Sequence, residues 1–334
     1  MMRRRPINRV AAALAIGVSM CVSGRISIAD DTPVTLEKII DTWKAREQKI
    51  TSFDFHWWSK HFESEPDGVP PILLEENQVR RPDATFIAMY RFATDAQNGQ
   101  LRTRLDERGR EWCPSTADFV PSNTVEILDL GIEKRFHPQT LLGYPTLTTK
   151  GQVGLIDYHD IRSRPLRLAY RPLHSPIGVF PGQMTLRKQI DTAEAPALLI
   201  LEHPDAKVWV DPAKEFLPVR YTKGGPNSLH SELQINYAHD EMFGWVPQSW
   251  TSTLMDTTDK TYSSDTAKVI EYSINKPLAE CVFELELPEG THVMDATSNE
   301  EFIIRSGGNR ERIALKELDA ANHPNPFIQF PAEN

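Results

Sequence analysis

The sequence predicts an α+β fold in which one N-terminal helix precedes a long antiparallel β-sheet. A single stretch near residue 36 has apolar side chains at helical spacing, whereas most later stretches alternate apolar and polar side chains. Turn-forming residues separate these stretches at short intervals, and the chain contains 25 prolines. We predict about ten or eleven consecutive strands, and a sheet of that length must coil into a barrel, a half-barrel or a sandwich.

The first 29 residues are predicted to be a secretory signal peptide. Four arginines precede a mostly apolar segment, residues 10–24, and Ser-Ile-Ala at 27–29 fits the small-x-small cleavage rule. The apolar segment is shorter than the roughly 20 residues that a membrane-spanning helix needs. We therefore expect cleavage after Ala29 and a mature protein that is periplasmic or secreted.

The mature chain, residues 30–334, is strongly acidic. It carries 32 Lys and Arg against 46 Asp and Glu, a net charge of −14. Such a charge repels phosphate backbones, so nucleic acid is excluded as a partner, and it also disfavours anionic lipid surfaces. No later segment has the length and apolarity of a membrane span, so we expect peripheral membrane contact at most.

Two cysteines remain after cleavage, Cys113 and Cys281. Two thiols cannot form a zinc site alone, and neither belongs to a C-x-x-C pair. In an oxidising compartment they could form one disulfide, and two separately buried thiols are the alternative. A reactive nucleophile is less favoured because neither cysteine has a histidine next to it in sequence.

The mature chain is predicted to open with an amphipathic helix that packs on the sheet. Its apolar stripe consists of Leu36, Ile39, Ile40 and Trp43. Either Thr32 or Thr35 can cap its N-terminus.

The next segments, 51–63 and 84–93, are predicted strands with a candidate ligand cavity on one face. Side chains alternate between the two faces of a strand, so every second residue shares a face. In the second strand both faces are largely apolar, as expected for a sheet that lines a cavity or for a plain two-sided core. The candidate lining residues are Phe53, Phe55, Trp57, Phe86, Ala88 and Tyr90. His56 and His61 fall on opposite faces and cannot form a metal pair within one strand.

Between residues 118 and 183 the strand pattern fades, which predicts a lid or insertion. Residues 162–173 are predicted to be helical. They carry the one basic cluster of this acidic chain, namely Arg162, Arg164, Arg167 and Arg171. These arginines could form salt bridges to the acidic body, or they could line a mouth that meets an anionic headgroup or a partner. Four adjacent residues rarely converge on a metal, so the run at 157–160 predicts no metal site.

Strands resume after residue 184 and continue to residue 287. Residues 197–223 are predicted to form three strands separated by turns at Pro204 and Pro212, because proline cannot donate to a strand ladder. Residues 289–334 are predicted to form a small hairpin followed by an extended tail.

No motif for catalysis is present. The chain has no G-x-S-x-G elbow, P-loop, G-x-G-x-x-G or H-E-x-x-H sequence. We therefore predict no catalytic residue, no metal and no cofactor, and expect that the protein is not an enzyme. A periplasmic hydrolase whose residues meet only in space is one alternative.

The order of these segments resembles the lipoprotein-carrier family of LolA and LolB, above all the exported LolA-like proteins of the planctomycete type. The residues that carry the resemblance are WVDP at 209–212, LPVRY at 217–221, GWVP at 244–247, WT at 250–251 and PEGTHVMD at 288–295. The resemblance covers residues 33–300, but the chain is longer than the simple carriers.

The resemblance implies a long antiparallel β-sheet curled into an open half-barrel, with an N-terminal helix and a central helical lid. The half-barrel would occupy residues 30–288, with the lid at 118–183. Carriers of this family hold acyl chains on the concave face and have no catalytic residues. We therefore expect a carrier or chaperone-like protein that binds a lipid or the acyl chains of a lipoprotein, with an envelope protein as a further partner. An envelope sensor or interaction module without lipid cargo is a second alternative.

Overall fold

The computed structural model describes residues 34–64, 82–96, 101–113, 118–129, 131–138, 146–151, 162–174, 179–188, 197–224 and 229–312. The predicted signal peptide, the run at 157–160 and the tail beyond residue 312 lie outside these ranges. The described chain is one long open sheet with two helices, which confirms the predicted α+β class, the curled open sheet and the N-terminal helix.

Helix α1 (Leu36–Lys49) forms where the apolar stripe predicts it. The Thr35 hydroxyl accepts a hydrogen bond from the Lys38 amide at 3.3 Å and so caps the N-terminus. Ile39 and Trp43 are buried, and the Trp43 indole donates to the Phe216 carbonyl oxygen at 2.9 Å. The apolar stripe therefore fixes α1 against the sheet.

Sixteen strands form the sheet in the described part of the chain. They are β1 (Ser52–Glu63), β2 (Ala84–Asp95), β3 (Arg102–Cys113), β4 (Asp118–Asp129), β5 (Ile132–His137), β6 (Thr146–Gly151), β7 (Thr185–Lys188), β8 (Leu199–His203), β9 (Ala206–Asp211), β10 (Leu217–Lys223), β11 (His230–Asp240), β12 (Gly244–Met255), β13 (Thr261–Ile274), β14 (His292–Asp295), β15 (Glu300–Ile304) and β16 (Arg310–Arg312). Their spatial order is β16-β15-β14-β6-β5-β4-β3-β2-β1-β13-β12-β11-β10-β9-β8-β7. Among the described strands, only β14 and β6 pair in parallel.

The sheet consists of two meanders that meet at β1 and β13. The first meander runs outward from β1 to β6, and the second starts at the opposite edge with β7 and returns to β13. The chain between β6 and β7 must therefore cross the sheet from one side to the other. Helix α2 (Arg164–Tyr170) lies in this crossing and packs on β10 and β12.

Strands β4, β5 and β6 occupy the beginning of the segment predicted to be a lid, so the predicted lid at 118–183 is too wide. The helix there is also shorter than the predicted 162–173, and a 3-10 helix (Pro172–His174) follows it. The strand pattern is weak because β4 carries Pro121 and several polar residues. Pairing with β3 and β5 overrides these weak local preferences.

The β3–β6 half of the sheet has its own core, on the face opposite to α2. Its buried members are Val125, Ile127, Phe136, Leu147, Val293, Phe302 and Ile304. Leu285 and Leu287 pack against them from the segment that links β13 to β14, which we call the strap (residues 275–291). The predicted C-terminal hairpin is thus part of the main sheet and not a separate unit.

Candidate functional site

The inner face of the sheet, defined as the face that α2 covers, brings the six predicted lining residues together. Trp57 lies opposite Tyr90 in the β1–β2 ladder, and Phe55 lies opposite Phe92. Five of the six lining residues are buried, with at most 3 % of each side chain exposed, and Phe86 is half-buried. Strand alternation therefore places these residues on one face, as predicted, but their role in ligand binding stays a prediction.

The inner face carries two groups of contacting aromatic rings. Trp57 stacks on Tyr90 with ring centroids 5.2 Å apart and meets Trp250 of β12 edge-on at 5.3 Å. Phe53 contacts Phe92 at 5.8 Å. Sequence reasoning left Trp250 and Phe92 out of the candidate lining, although the alternation in each strand marks both as inner-face residues.

Helix α2 is seated directly on these rings and is almost wholly buried. Its Tyr170 ring lies 4.9 Å from Phe53 and 5.6 Å from Phe55. Pro165 lies in the first turn, where its missing N–H leaves no intrahelical bond unmade. Burial on all sides is unusual for a helix that carries a basic cluster, and the neighbouring rings explain it.

The predicted basic cluster lies on the aromatic rings of the inner face. The guanidinium groups of Arg164 and Arg167 are 5.4 Å from the ring centroids of Tyr221 and Phe92 respectively, and that of Arg171 is 5.7 Å from Phe53. These are cation–π distances. Arg164 and Arg167 are three residues apart and share one side of α2, and Arg171 follows the helix as its C-cap.

The fourth arginine of the cluster pairs with an acid. Arg162 forms a short ion pair with Glu107 of β3 and lies 5.8 Å from the Tyr90 ring. Arg162 therefore forms a salt bridge to the acidic body, which was one of the two predicted roles of the cluster.

Arg171 is the most buried of the four, with 3 % of its surface exposed. It donates to the carbonyl oxygens of Tyr170 and Thr51 at 2.7 and 3.2 Å, and in the described chain no carboxylate lies within ion-pair distance. Burial lowers its pKa, and the charges of Glu47 and Asp95 act in the opposite direction. A buried guanidinium without a directly bound carboxylate is costly and can accept an anionic group.

Arg46 of α1 holds α2 in place. Its guanidinium donates to the carbonyl oxygens of Ala169 at 2.8 Å and Trp245 at 2.5 Å, and it lies 5.1 Å from the Tyr170 ring. Ala169 is in the last turn of α2, where carbonyl oxygens lack intrahelical partners. Sequence reasoning missed this role because the contact joins residues 123 positions apart.

One small cleft lies on the inner face beside α2. The cleft beside Arg167, lined by Phe92, Leu105 and Leu128 among others, has a volume of about 10 Å³, enough for one water molecule at most. An acyl chain could not enter this cleft without displacing α2.

At the end of β1 the inner face becomes polar around His61. Its Nδ1 lies 2.9 Å from Asp265 and its Nε2 lies 2.8 Å from Glu63, while the Ser59 hydroxyl donates to Asp265 at 2.8 Å. Burial alone would lower the pKa of His61, but the two carboxylates outweigh it and raise the pKa to about 9. Because the serine contacts the aspartate and not the imidazole, this cluster lacks the serine–histidine contact of a hydrolase triad.

A second polar row crosses β3, β4 and β5. The Ser122 hydroxyl donates to Glu111 at 3.1 Å, and Thr124 links Ser122 to His137 through two contacts of 3.4 Å. Burial raises the pKa of Glu111. Burial and the charges of Arg135 and Arg162 lower the pKa of His137 to about 4.

The described residues contain no group of three or more potential metal ligands. Cys281 is exposed and free, so it is neither in a disulfide nor buried, contrary to both alternatives left open by the sequence. No helix in the described ranges is long and apolar enough to cross a membrane.

Comparison with known proteins finds only distant likenesses. No family model and no curated protein match the chain. Two matching solved structures are the enduracididine biosynthesis enzyme MppR, at 12 % identity and a TM-score of 0.13, and acetoacetate decarboxylase, at 10 % and 0.12. Each match covers 67 % of this chain and 88 % of the other. Likenesses this weak carry no statement about fold or function.

Proposed function

We propose that this protein binds a hydrophobic ligand, a lipid or the acyl chains of a lipoprotein, on the inner face of its sheet in place of α2. The observation that carries the proposal is that α2 covers the inner face of the sheet. A helix of seven residues lies on the aromatic rings of the inner face, and the guanidinium groups of its Arg164 and Arg167 and of its C-cap residue Arg171 lie 5.4 to 5.7 Å from ring centroids.

An acyl chain can compete with this cover. It gains about 0.8 kcal/mol for each CH₂ that it buries, so a chain of ordinary length gains on the order of 10 kcal/mol. Phe53, Phe55, Trp57 and Tyr90 offer the apolar surface for it. Since α2 must leave first, the observed affinity is reduced by the fraction of molecules in which the inner face is open.

The arginines of α2 suit a ligand with an anionic end. Arg171 is buried without a directly bound carboxylate among the described residues, and displacement of α2 would free it together with Arg164 and Arg167. A fatty-acid carboxylate or a phospholipid phosphate accepts bidentate hydrogen bonds from such groups.

The biological role we propose is that of an exported carrier or chaperone-like binding protein and not an enzyme. The predicted signal peptide and the resemblance to lipoprotein carriers support a periplasmic or secreted location. Its partners would be a hydrophobic ligand or lipoprotein and an envelope protein that delivers or receives it.

The decisive experiment titrates the protein with a dansyl-labelled fatty acid. We expect saturable binding by the natural chain and an apparent affinity at least about tenfold higher for Tyr170→Ala, because the loss of the Phe53 and Phe55 contacts favours the open inner face. An unlabelled fatty acid should displace the probe better than its methyl ester, which cannot pair with the arginines.

Phe302→Ala is the matched control. It truncates a buried ring in the core on the opposite face, so it should leave probe affinity unchanged. Absence of probe binding by the natural chain, or equal affinity of Tyr170→Ala and the natural chain, would refute the proposal.

A further inference from the structure

The outer face, opposite to α2, carries an exposed apolar patch where β1, β2 and β13 pair. Ile87 is 67 % exposed, Met89 43 % and Ile270 55 %. Half-buried Trp58 lies directly opposite Met89 in the ladder, and Ile270 lies at the bulge of β13. Side chains opposite one another in a ladder are about 5 Å apart, so Met89 and Trp58 form one surface. Soluble proteins rarely expose such a patch without a use for it.

Three cations border this patch. Four residues lie side by side on the neighbouring strands β3, β2, β1 and β13, namely Arg108, Met89, Trp58 and Lys268. At the next position Lys60 lies opposite Ile87. All three cationic side chains are exposed, and in the described chain none of them forms an ion pair.

Two nearby carboxylates are held by other arginines. Asp54 is bound to Arg91 at 2.7 Å, and Asp106, on the face of β3 that carries Arg108, is bound to Arg104 at 2.8 Å. Exposed Glu271, next to Ile270 and opposite His56, is one acid against the three cations. On the other side of Lys60 the ladder continues with uncharged Thr266 and Thr251. The patch is therefore locally cationic on an acidic protein.

Local charge decides contact with a charged surface in salt solution. At physiological ionic strength electrostatic interactions fade over about 8 Å, so distant acidic side chains contribute little at the point of contact. The net charge of −14 predicts repulsion from anionic lipid, but that argument averages over the whole surface and misses a cationic face.

We propose that this outer patch of Trp58, Ile87, Met89 and Ile270, with Lys60, Arg108 and Lys268 at its border, docks the protein on an anionic phospholipid bilayer. The apolar side chains enter the interface, and the tryptophan sits at headgroup level, where its amphipathic ring is favoured. The long cationic side chains reach the lipid phosphates around them. Because the patch and α2 lie on opposite faces, docking does not depend on the proposed acyl-chain binding.

Vesicle flotation tests this proposal. The purified natural chain should float with vesicles that contain about 30 % phosphatidylglycerol and not with pure phosphatidylcholine vesicles, and raised salt should weaken the association. The triple variant Lys60→Gln, Arg108→Gln, Lys268→Gln should lose affinity on the order of 100-fold, since each cation near an anionic surface contributes roughly fivefold. Ile87→Asn with Met89→Asn should weaken binding while all three cations are retained.

A second triple variant is the charge-matched control. Lys38→Gln, Lys44→Gln, Lys49→Gln removes the same charge from exposed positions on α1 and should bind as the natural chain does. Failure of the natural chain to float, equal binding to neutral vesicles, or equal losses in the two triple variants would overturn the proposal. If the patch binds a protein partner and not a bilayer, the natural chain should fail to float with the vesicles.

Discussion

At the scale of single residues, His61 shows how the tertiary structure sets the chemistry of a side chain. The strand pattern predicts that His56 and His61 lie on opposite faces of β1. The structure confirms this, with His61 on the inner face and His56 on the outer face. The contact with Asp265, 204 residues later, has no local signal in the sequence. It exists because β1 and β13 pair in the middle of the sheet.

His61 makes stability depend on pH. Its folded-state pKa of about 9 exceeds the ordinary value of 6.5, so the folded protein binds this proton more tightly than the unfolded chain does. The stabilisation is complete below pH 6.5 and is lost as pH rises to 9, by about 3 kcal/mol. Urea unfolding across this range should show the loss in the natural chain and a much flatter profile in His61→Gln.

His56→Gln serves as the control because His56 is on the other face and 43 % exposed. It should keep the pH profile of the natural chain. An unchanged slope in His61→Gln would show that other groups cause the pH dependence.

At the scale of elements, α2 depends on α1 more than on its own sequence. A helix of seven residues is too short to be stable alone. Arg46 binds its last turn, and the Leu173 amide donates to Glu47 at 2.8 Å just beyond it. The sequence predicts a helix here and its basic character, but not that the arginines lie buried on aromatic rings.

Arg46→Met should therefore destabilise the protein by about 2–4 kcal/mol, because it leaves two carbonyl oxygens, of Ala169 and Trp245, without their donor. Urea unfolding at one pH measures the change. Lys44→Met, which removes an exposed ion pair with Asp41 from the same helix, should cost less than about 1 kcal/mol. Similar losses in the two variants would contradict the role assigned to Arg46.

At the scale of the whole molecule, one sheet supports two cores on opposite faces. The inner core lies under α1 and α2, and the outer core lies under the strap and includes β14 and β15. Arg104 connects the strap to β3 by donating to the carbonyl oxygens of Val282 and Glu284 at 2.9 and 3.2 Å. Regions with separate cores can open separately.

Hydrogen exchange followed by mass spectrometry of Phe302→Ala should show that the outer core opens separately from the inner core. Truncation of a buried ring costs about 3–5 kcal/mol, and we expect faster exchange in β6, β14 and β15. Exchange in β8–β12 should stay as in the natural chain. Uniformly faster exchange along the whole sheet would show that the two cores unfold together.

The sequence by itself determines the α+β class, helix α1 and the shared face of the six candidate lining residues, because helical spacing and strand alternation are local patterns. Only the tertiary structure decides what covers that face. The first meander ends with β6 on one side of β1, and the second starts with β7 at the far edge on the other side, so the connecting chain must cross the sheet and brings α2 onto the rings. The tertiary structure also decides where charge accumulates. Composition gives only the sum of the charges, whereas strand pairing gives their positions. That is why an acidic chain can present a cationic patch at Lys60, Arg108 and Lys268.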